Sequence, residues 1–216
     1  MLTKFREPIS GLTHLIGAVI SLVGMILLIW RESTVPKPEP LAYVAIAMFG
    51  LSLILLYTAS TVYHLVRASE KVIKFLRKLD HSMIFVLIAG TYTPICLIAL
   101  HGTLRWAMFI GIWACAIMGI VFKMVWFNAP RWISTLSYVL IGWISVFLIP
   151  ALSKTMLAGG IVLLFLGGVS YTLGAVIYAT KWPRIKSNIF GFHEIFHLFV
   201  MAGSFFHYFM VFRYVI

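Results

Sequence analysis

The sequence predicts an all-α integral membrane protein: a bundle of seven transmembrane helices with the N-terminus cytoplasmic and the C-terminus outside. Three observations predict it. The 216 residues are 62% apolar and only 11% charged, whereas soluble domains carry about 25% charge. The chain divides into seven apolar runs, each near the roughly 20 residues that a spanning helix needs. Lysine and arginine concentrate in alternate loops, as the positive-inside rule requires. Seven spans of about 22 residues leave only short loops and tails. The whole chain, 1–216, therefore reads as a single integral membrane domain.

Helix 1 is expected over 11–30, stopped by Arg31-Glu32 and the turn at Pro36, Pro38 and Pro40. It is long and lacks an A-x-A cleavage pattern, so it reads as a retained helix. Helix 2 is expected over 41–66, followed by a basic amphipathic segment with Arg67, Lys71, Lys74, Arg77 and Lys78. Helix 3 is expected over 80–100 and helix 4 over 104–125. Helix 5 follows Asn128-Ala129-Pro130-Arg131, over 132–151. Helix 6 is expected over 156–180, with Ser170-x-x-x-Gly174 as a small-residue packing stripe. Helix 7 is expected over 190–213, after Lys181-Trp182-Pro183-Arg184.

Orientation follows from the cations. One side collects Lys4, Arg6, the five cations between helices 2 and 3, Lys123, Arg131, Lys181, Arg184 and Lys186, twelve in all. The other side has five: Arg31, Lys37, Arg105, Lys154 and Arg213. The richer side is the cytoplasm. The net charge of +11 is thereby explained by topology and anionic headgroups, and no nucleic-acid partner is expected. Cys96 and Cys115 lie inside apolar runs and form neither a disulfide pattern nor a C-x-x-C metal pattern.

Ionisable groups within a bilayer are costly, so each is a functional candidate. Of seven histidines, His14, His64, His81, His193 and His197 all fall at cytoplasmic helix ends. His193-Glu194-Ile195-Phe196-His197 places two imidazoles at i and i+4, on one helix face, where both can hold one ion. Ser60 and His64 repeat that spacing on helix 2, and Asp80 opens helix 3 on the same side. Three neutral histidines with one open position is the layout of a catalytic zinc, so His64, His193 and His197 are the expected ligands. Asp80 and Ser60 are placed to hydrogen-bond a water in the open position, whose pKa falls to about 7. Asp80 can also serve as the N-cap of helix 3, and Ser60 as a serine bonded back to its own helix. His81 and His14 read as supporting residues. His207, ten residues past His197, stands roughly 15 Å further along the helix and cannot share the ion. His101 reads as solvated in an outer loop. The H-E-x-x-H string also matches the zincin protease pattern, but position 200 is Val, which breaks the longer metzincin form.

Several strings then occur in order: Glu7-Pro-Ile-Ser-Gly-Leu-Thr-His14, Ser60-x-x-x-His64, Leu79-Asp80-His81, Gly90-Thr-Tyr-Thr-Pro94, His193-x-x-x-His197 and His207. Together they resemble the bacterial hemolysin III proteins, grouped with the progestin and adipoQ receptors, over essentially the whole chain. The resemblance implies seven helices with the N-terminus inside, and zinc on His64, His193 and His197. It also implies that Ser60 and Asp80 support the metal-bound water, and it gives Glu194 no protease role. Because relatives include ceramidase-like receptors, it implies hydrolysis of a lipid amide, and the expected function is a zinc-dependent hydrolase of a lipid amide or ester, with membrane lipid as substrate. The setting is then a bacterial plasma membrane. Bacterial members carry a cytolysin name, so a membrane-perturbing or membrane-homeostasis protein with a structural zinc stays open as the alternative. A haem carrier and an ion transporter are weaker options, since paired histidines also ligate haem but Asp80 is the lone acid poised in the bundle.

Overall fold

The structure, a computed structural model, describes residues 5–126, 128–185 and 190–216. Lys4 and Lys186, counted above on the cytoplasmic side, lie outside the described residues. Seven helices are long and apolar enough to cross a membrane: α1 (Pro8–Ser33), α2 (Pro40–Leu65), α3 (Glu70–Ala99), α4 (Gly102–Val125), α5 (Arg131–Leu152), α6 (Ala158–Thr180) and α7 (Phe192–Val215). No strand occurs among the described residues.

Local chemistry sets several boundaries. Pro8 and Pro40 occupy first-turn positions of α1 and α2, where the missing N–H has no helical partner to lose. Lys181 adopts φ +56 and ends α6 in the left-handed conformation. Helix α3 begins ten residues earlier than expected, because the segment after Ser69 continues as helix instead of lying apart from it. Lys71 and Lys74 fall on its exposed face, so the helix carries its charges out to headgroup depth without burying them. Asp80 therefore lies about three turns inside α3, and the expectation that it opens or caps that helix is corrected.

Helix α3 is the central helix: 72% of its apolar stretch is enclosed, against 17% for α5 and 22% for α4. It packs between α2 and α4, while α1 packs on α2 and α7 on α6, and α1 also touches α7. The inner faces bury Leu28, Ile46, Phe49, Phe85 and Ile95. The outer faces expose Ile20, Ile26, Ile110, Met118 and Phe147, an apolar belt far beyond what a water-soluble surface tolerates. Close approach is built on small residues. A Cβ on Gly90 of α3 would lie 2.1 Å from Ser52 Oγ of α2. Gly174 meets Phe199 across the α6–α7 contact, in line with the expected small-residue stripe.

Pro150 cannot donate to the carbonyl four residues before it and crowds that turn. Residues Ile144–Leu148 accordingly tighten to a 3-10 helix. Tyr92 of α3 repairs the freed backbone: its hydroxyl accepts the Ser145 N–H at 2.6 Å and donates to the Gly142 carbonyl at 2.7 Å. In hydrocarbon, such groups have no water to turn to.

Candidate metal centre

The last turn of α2, the first turns of α7 and the N-terminal end of α1 meet at one end of the bundle. His64 comes from α2, and His193 and His197 from α7; one ligand atom of each lies within 4.8 Å of the other two. His64 and His197 are each 1% exposed. The i, i+4 spacing places the His193 and His197 rings 4.5 Å apart between centroids.

His64 is held by Glu7. Its Nδ1–H donates to Glu7 Oε2, and the Glu7 N–H donates to the His64 carbonyl at 2.9 Å. A carboxylate accepts only, so the bond leaves the Nε2 lone pair of His64 bare, 3.3 Å from His193 Nε2. The hydrogen bond from His64 lowers the Glu7 carboxyl below its ordinary value, burial opposes this, and the Arg6 guanidinium adds to the lowering.

The donor set fits a metal. Two nitrogens each about 2.05 Å from a tetrahedral zinc stand about 3.3 Å apart, the spacing seen between His64 and His193. A ligand imidazole whose other nitrogen donates to a carboxylate is the recurrent supporting arrangement. His197 is braced on its far side: its ring stacks on His14 at 3.6 Å and 11°, and Nδ1 lies 3.5 Å from Thr13 Oγ1.

A cavity of about 80 Å³ adjoins the cluster, lined by His193, His197, Ser60, Asp80, His14 and Tyr178 among others. That volume admits several waters, each needing roughly 10–15 Å³ by this measure. The structure thus brings the two expected partners of the water, Ser60 and Asp80, onto the same cavity as two of the three expected ligands. In α2, Ser52 and Thr61 bond back to the helix, donating to the Phe49 and Tyr57 carbonyls, each at 2.7 Å. Both nitrogens of His14 are buried without hydrogen-bond partners among the described residues.

The remaining expectations sort clearly. His81 is fully used as a strut: Nδ1–H donates to the Arg77 carbonyl at 2.7 Å, and Nε2 accepts from Tyr178 Oη at 3.0 Å. His207 bonds the Leu164 carbonyl at 3.1 Å, outside the trio. Glu194 caps α7, accepting the Gly191 N–H at 2.8 Å, and takes the Ser10 hydroxyl of α1 on its other oxygen. Gly191 has no side chain to return the bond, so this is one half of a capping box. Spacing arguments assign Glu7 no role. The available signal is its place immediately before α1, at the histidine-rich end.

A second cavity of about 100 Å³ shares Tyr138, Tyr171 and Ala175 with the first. It continues into the bilayer-spanning part of the bundle between α3, α5, α6 and α7, with walls such as Leu87, Ile95 and Leu164.

Comparison with known proteins agrees with this architecture. The sequence model described as Haemolysin-III related matches residues 2–208. Hemolysin-3 of Bacillus cereus is 39% identical over 217 residues, covering 100% of this chain and 95% of that protein. The Hemolysin-3 homolog of Bacillus subtilis (strain 168) is 35% identical over 204 residues, 94% of this chain and 92% of its own. The human Monocyte to macrophage differentiation factor is 25% identical over 223 residues, 98% of this chain and 85% of its own. With seven membrane-length helices and a family match over nearly its whole length, the chain belongs to the haemolysin III-related family of multi-pass membrane proteins.

Proposed function

We infer that the protein is a zinc-dependent membrane hydrolase acting on the amide or ester linkage of a membrane lipid. The observation that carries this is a histidine trio beside a small cavity that Ser60 and Asp80 also line, next to a second, apolar cavity that shares Tyr138, Tyr171 and Ala175 with it. The zinc ligands are His64, His193 and His197. A bound zinc supplies Lewis acidity at a carbonyl and acidifies water in its open position. The chain's own residues do the rest. Glu7 fixes the tautomer of His64, and the His14 ring steadies His197. Asp80 accepts a proton-bearing group in the cavity, and the Ser60 hydroxyl hydrogen-bonds the carbonyl or the water. The apolar cavity takes the acyl chain and keeps bulk water from the reacting linkage. The charge asymmetry of the loops supports placing this end of the bundle, with the N-terminus, in the cytoplasm. The membrane is the cell's own plasma membrane.

Metal analysis of purified wild type beside His64→Ala tests the ligand set, followed by turnover of a panel of ceramides and phospholipids. Zinc near one equivalent in wild type, lost in His64→Ala, supports it. Wild type without zinc, or a His193→Ala variant with undiminished turnover, sinks it.

The name of the Bacillus cereus relative, Hemolysin-3, favours a second reading, a membrane-perturbing protein in which zinc only ties α2 to α7. Dye release from liposomes on adding purified protein, with no lipid turnover, would establish that reading over the first.

A further inference from the structure

His207 is buried on α7, about 15 Å along the helix from His197, and stands outside the metal trio. Its ring is firmly seated. Nε2–H donates to the Leu164 carbonyl of α6 at 3.1 Å, and the Tyr171 ring lies 5.5 Å away between centroids. A Cβ on Gly167 would lie 2.2 Å from Nε2, so that glycine makes the room for the imidazole. A carbonyl accepts only, so Nε2 carries the proton, and Nδ1 of the neutral imidazole is a bare acceptor. Nδ1 is buried and has no hydrogen-bond partner among the described residues. The residue lines the second cavity, of about 100 Å³.

The other polar groups on that cavity have largely spent their protons. Thr91, Tyr92, Tyr138, Ser145 and Thr172 each donate to a backbone carbonyl. The Trp143 indole N–H is taken by Thr172 Oγ1 at 2.9 Å, and the Tyr171 hydroxyl pairs with Ser204 Oγ at 2.9 Å. Among the described residues, no lysine or arginine lines the cavity. What remains for an occupant is mainly lone pairs. An anion would enter with neither a donor nor a countercharge, which is costly away from water. A neutral group with a proton to give meets the opposite situation.

We propose that this cavity is a binding site for a neutral lipid chain bearing a hydroxyl group, whose O–H donates to His207 Nδ1. A buried acceptor without a partner costs free energy, and folded proteins leave few of them. A hydroxyl on an otherwise apolar chain supplies the missing donor, while Leu87, Ile95 and Leu164 take the methylenes. An apolar cavity of roughly 150 Å³ holds a benzene, so this smaller one encloses a segment of chain and not a whole lipid. Its use in choosing a substrate rests on the hydrolase reading above. The binding itself needs neither zinc nor turnover.

The test uses the full chain in detergent, titrated with dodecanol or dodecyl methyl ether and followed by native mass spectrometry. The ether carries the same chain and can accept but not donate. Affinities are taken relative to each compound's partition into the detergent. Zinc content is measured on every sample, and the titrations are repeated after chelation, so that a failed metal centre is distinguished from a failed cavity. Dodecanol is expected to bind at least about tenfold tighter than the ether, with or without zinc. His207→Phe fills the same space without the acceptor and is expected to cut that preference below about twofold. His101→Phe, at an exposed position before α4, is expected to leave it unchanged. Equal affinity of wild type for the two compounds overturns the proposal in favour of a trapped water as the partner of Nδ1, and this comparison stands even if a variant fails to fold. A preference that survives His207→Phe, or that His101→Phe abolishes as fully, overturns the assignment to His207. A preference lost on chelation puts the alcohol at the metal and overturns the cavity assignment.

Discussion

Glu7 and His64 are joined twice: the imidazole Nδ1–H donates to the Glu7 carboxylate, and the Glu7 amide donates to the His64 carbonyl at 2.9 Å. The pair ties the entry of α1 to the last turn of α2 and fixes which nitrogen of His64 faces His193. Glu7→Gln keeps the shape but not the charge, and is expected to lower zinc affinity about 10- to 100-fold. Competition with a fluorescent chelator measures it. Unchanged affinity would show that Glu7 serves only as a helix tie.

Removing the metal is expected to destabilise the wild type. A ligand held at 100 times its Kd contributes about 2.7 kcal/mol to the folded state. A chelator should therefore lower the melting temperature in detergent, and restored zinc should raise it again. His64→Ala should melt at the chelated temperature with or without zinc. A wild type insensitive to chelation would count against a metal holding α2 to α7.

Glu194 is expected to matter for stability and not for metal binding. Glu194→Ala strips the Gly191 N–H and the Ser10 hydroxyl of their partner, at about 1 kcal/mol. Thermal unfolding reads the loss, and zinc stoichiometry should stay at the wild-type value. Loss of zinc with no change in melting would reverse this assignment.

Tyr92→Phe removes the hydroxyl that serves the broken turn of α5. The Ser145 N–H then loses that partner in an apolar interior, while the Gly142 carbonyl keeps the Ser145 hydroxyl at 3.1 Å, a loss of about 1–3 kcal/mol. Melting temperature in detergent or bicelles is the measurement. A neutral result would mean that α5 re-forms its own hydrogen bonds.

Two glycines make a contrasting pair. Gly90→Ala drives a methyl against Ser52 Oγ, 2.1 Å from the ideal Cβ position, and should cost about 1–3 kcal/mol. Gly111 has nothing within 4 Å of its Cβ position, so Gly111→Ala should be neutral or stabilise α4 by up to about 1 kcal/mol. Parallel unfolding curves distinguish the two, and equal effects would contradict the close α2–α3 approach.

The sequence by itself determined that the chain is a membrane bundle of seven helices, because the composition and length of each apolar run leave no other way to satisfy the backbone in lipid. It also singled out His64, His193 and His197, since i, i+4 spacing and matching helix ends are local properties. The start of α3 was not legible, because a basic run reads as a loop until its charges are seen at the membrane boundary. Only the tertiary structure decided that Glu7 grips His64, that His14 stacks on His197 and that Tyr92 mends α5. Those contacts join residues 57, 183 and 53 positions apart in the chain, and no local period encodes them.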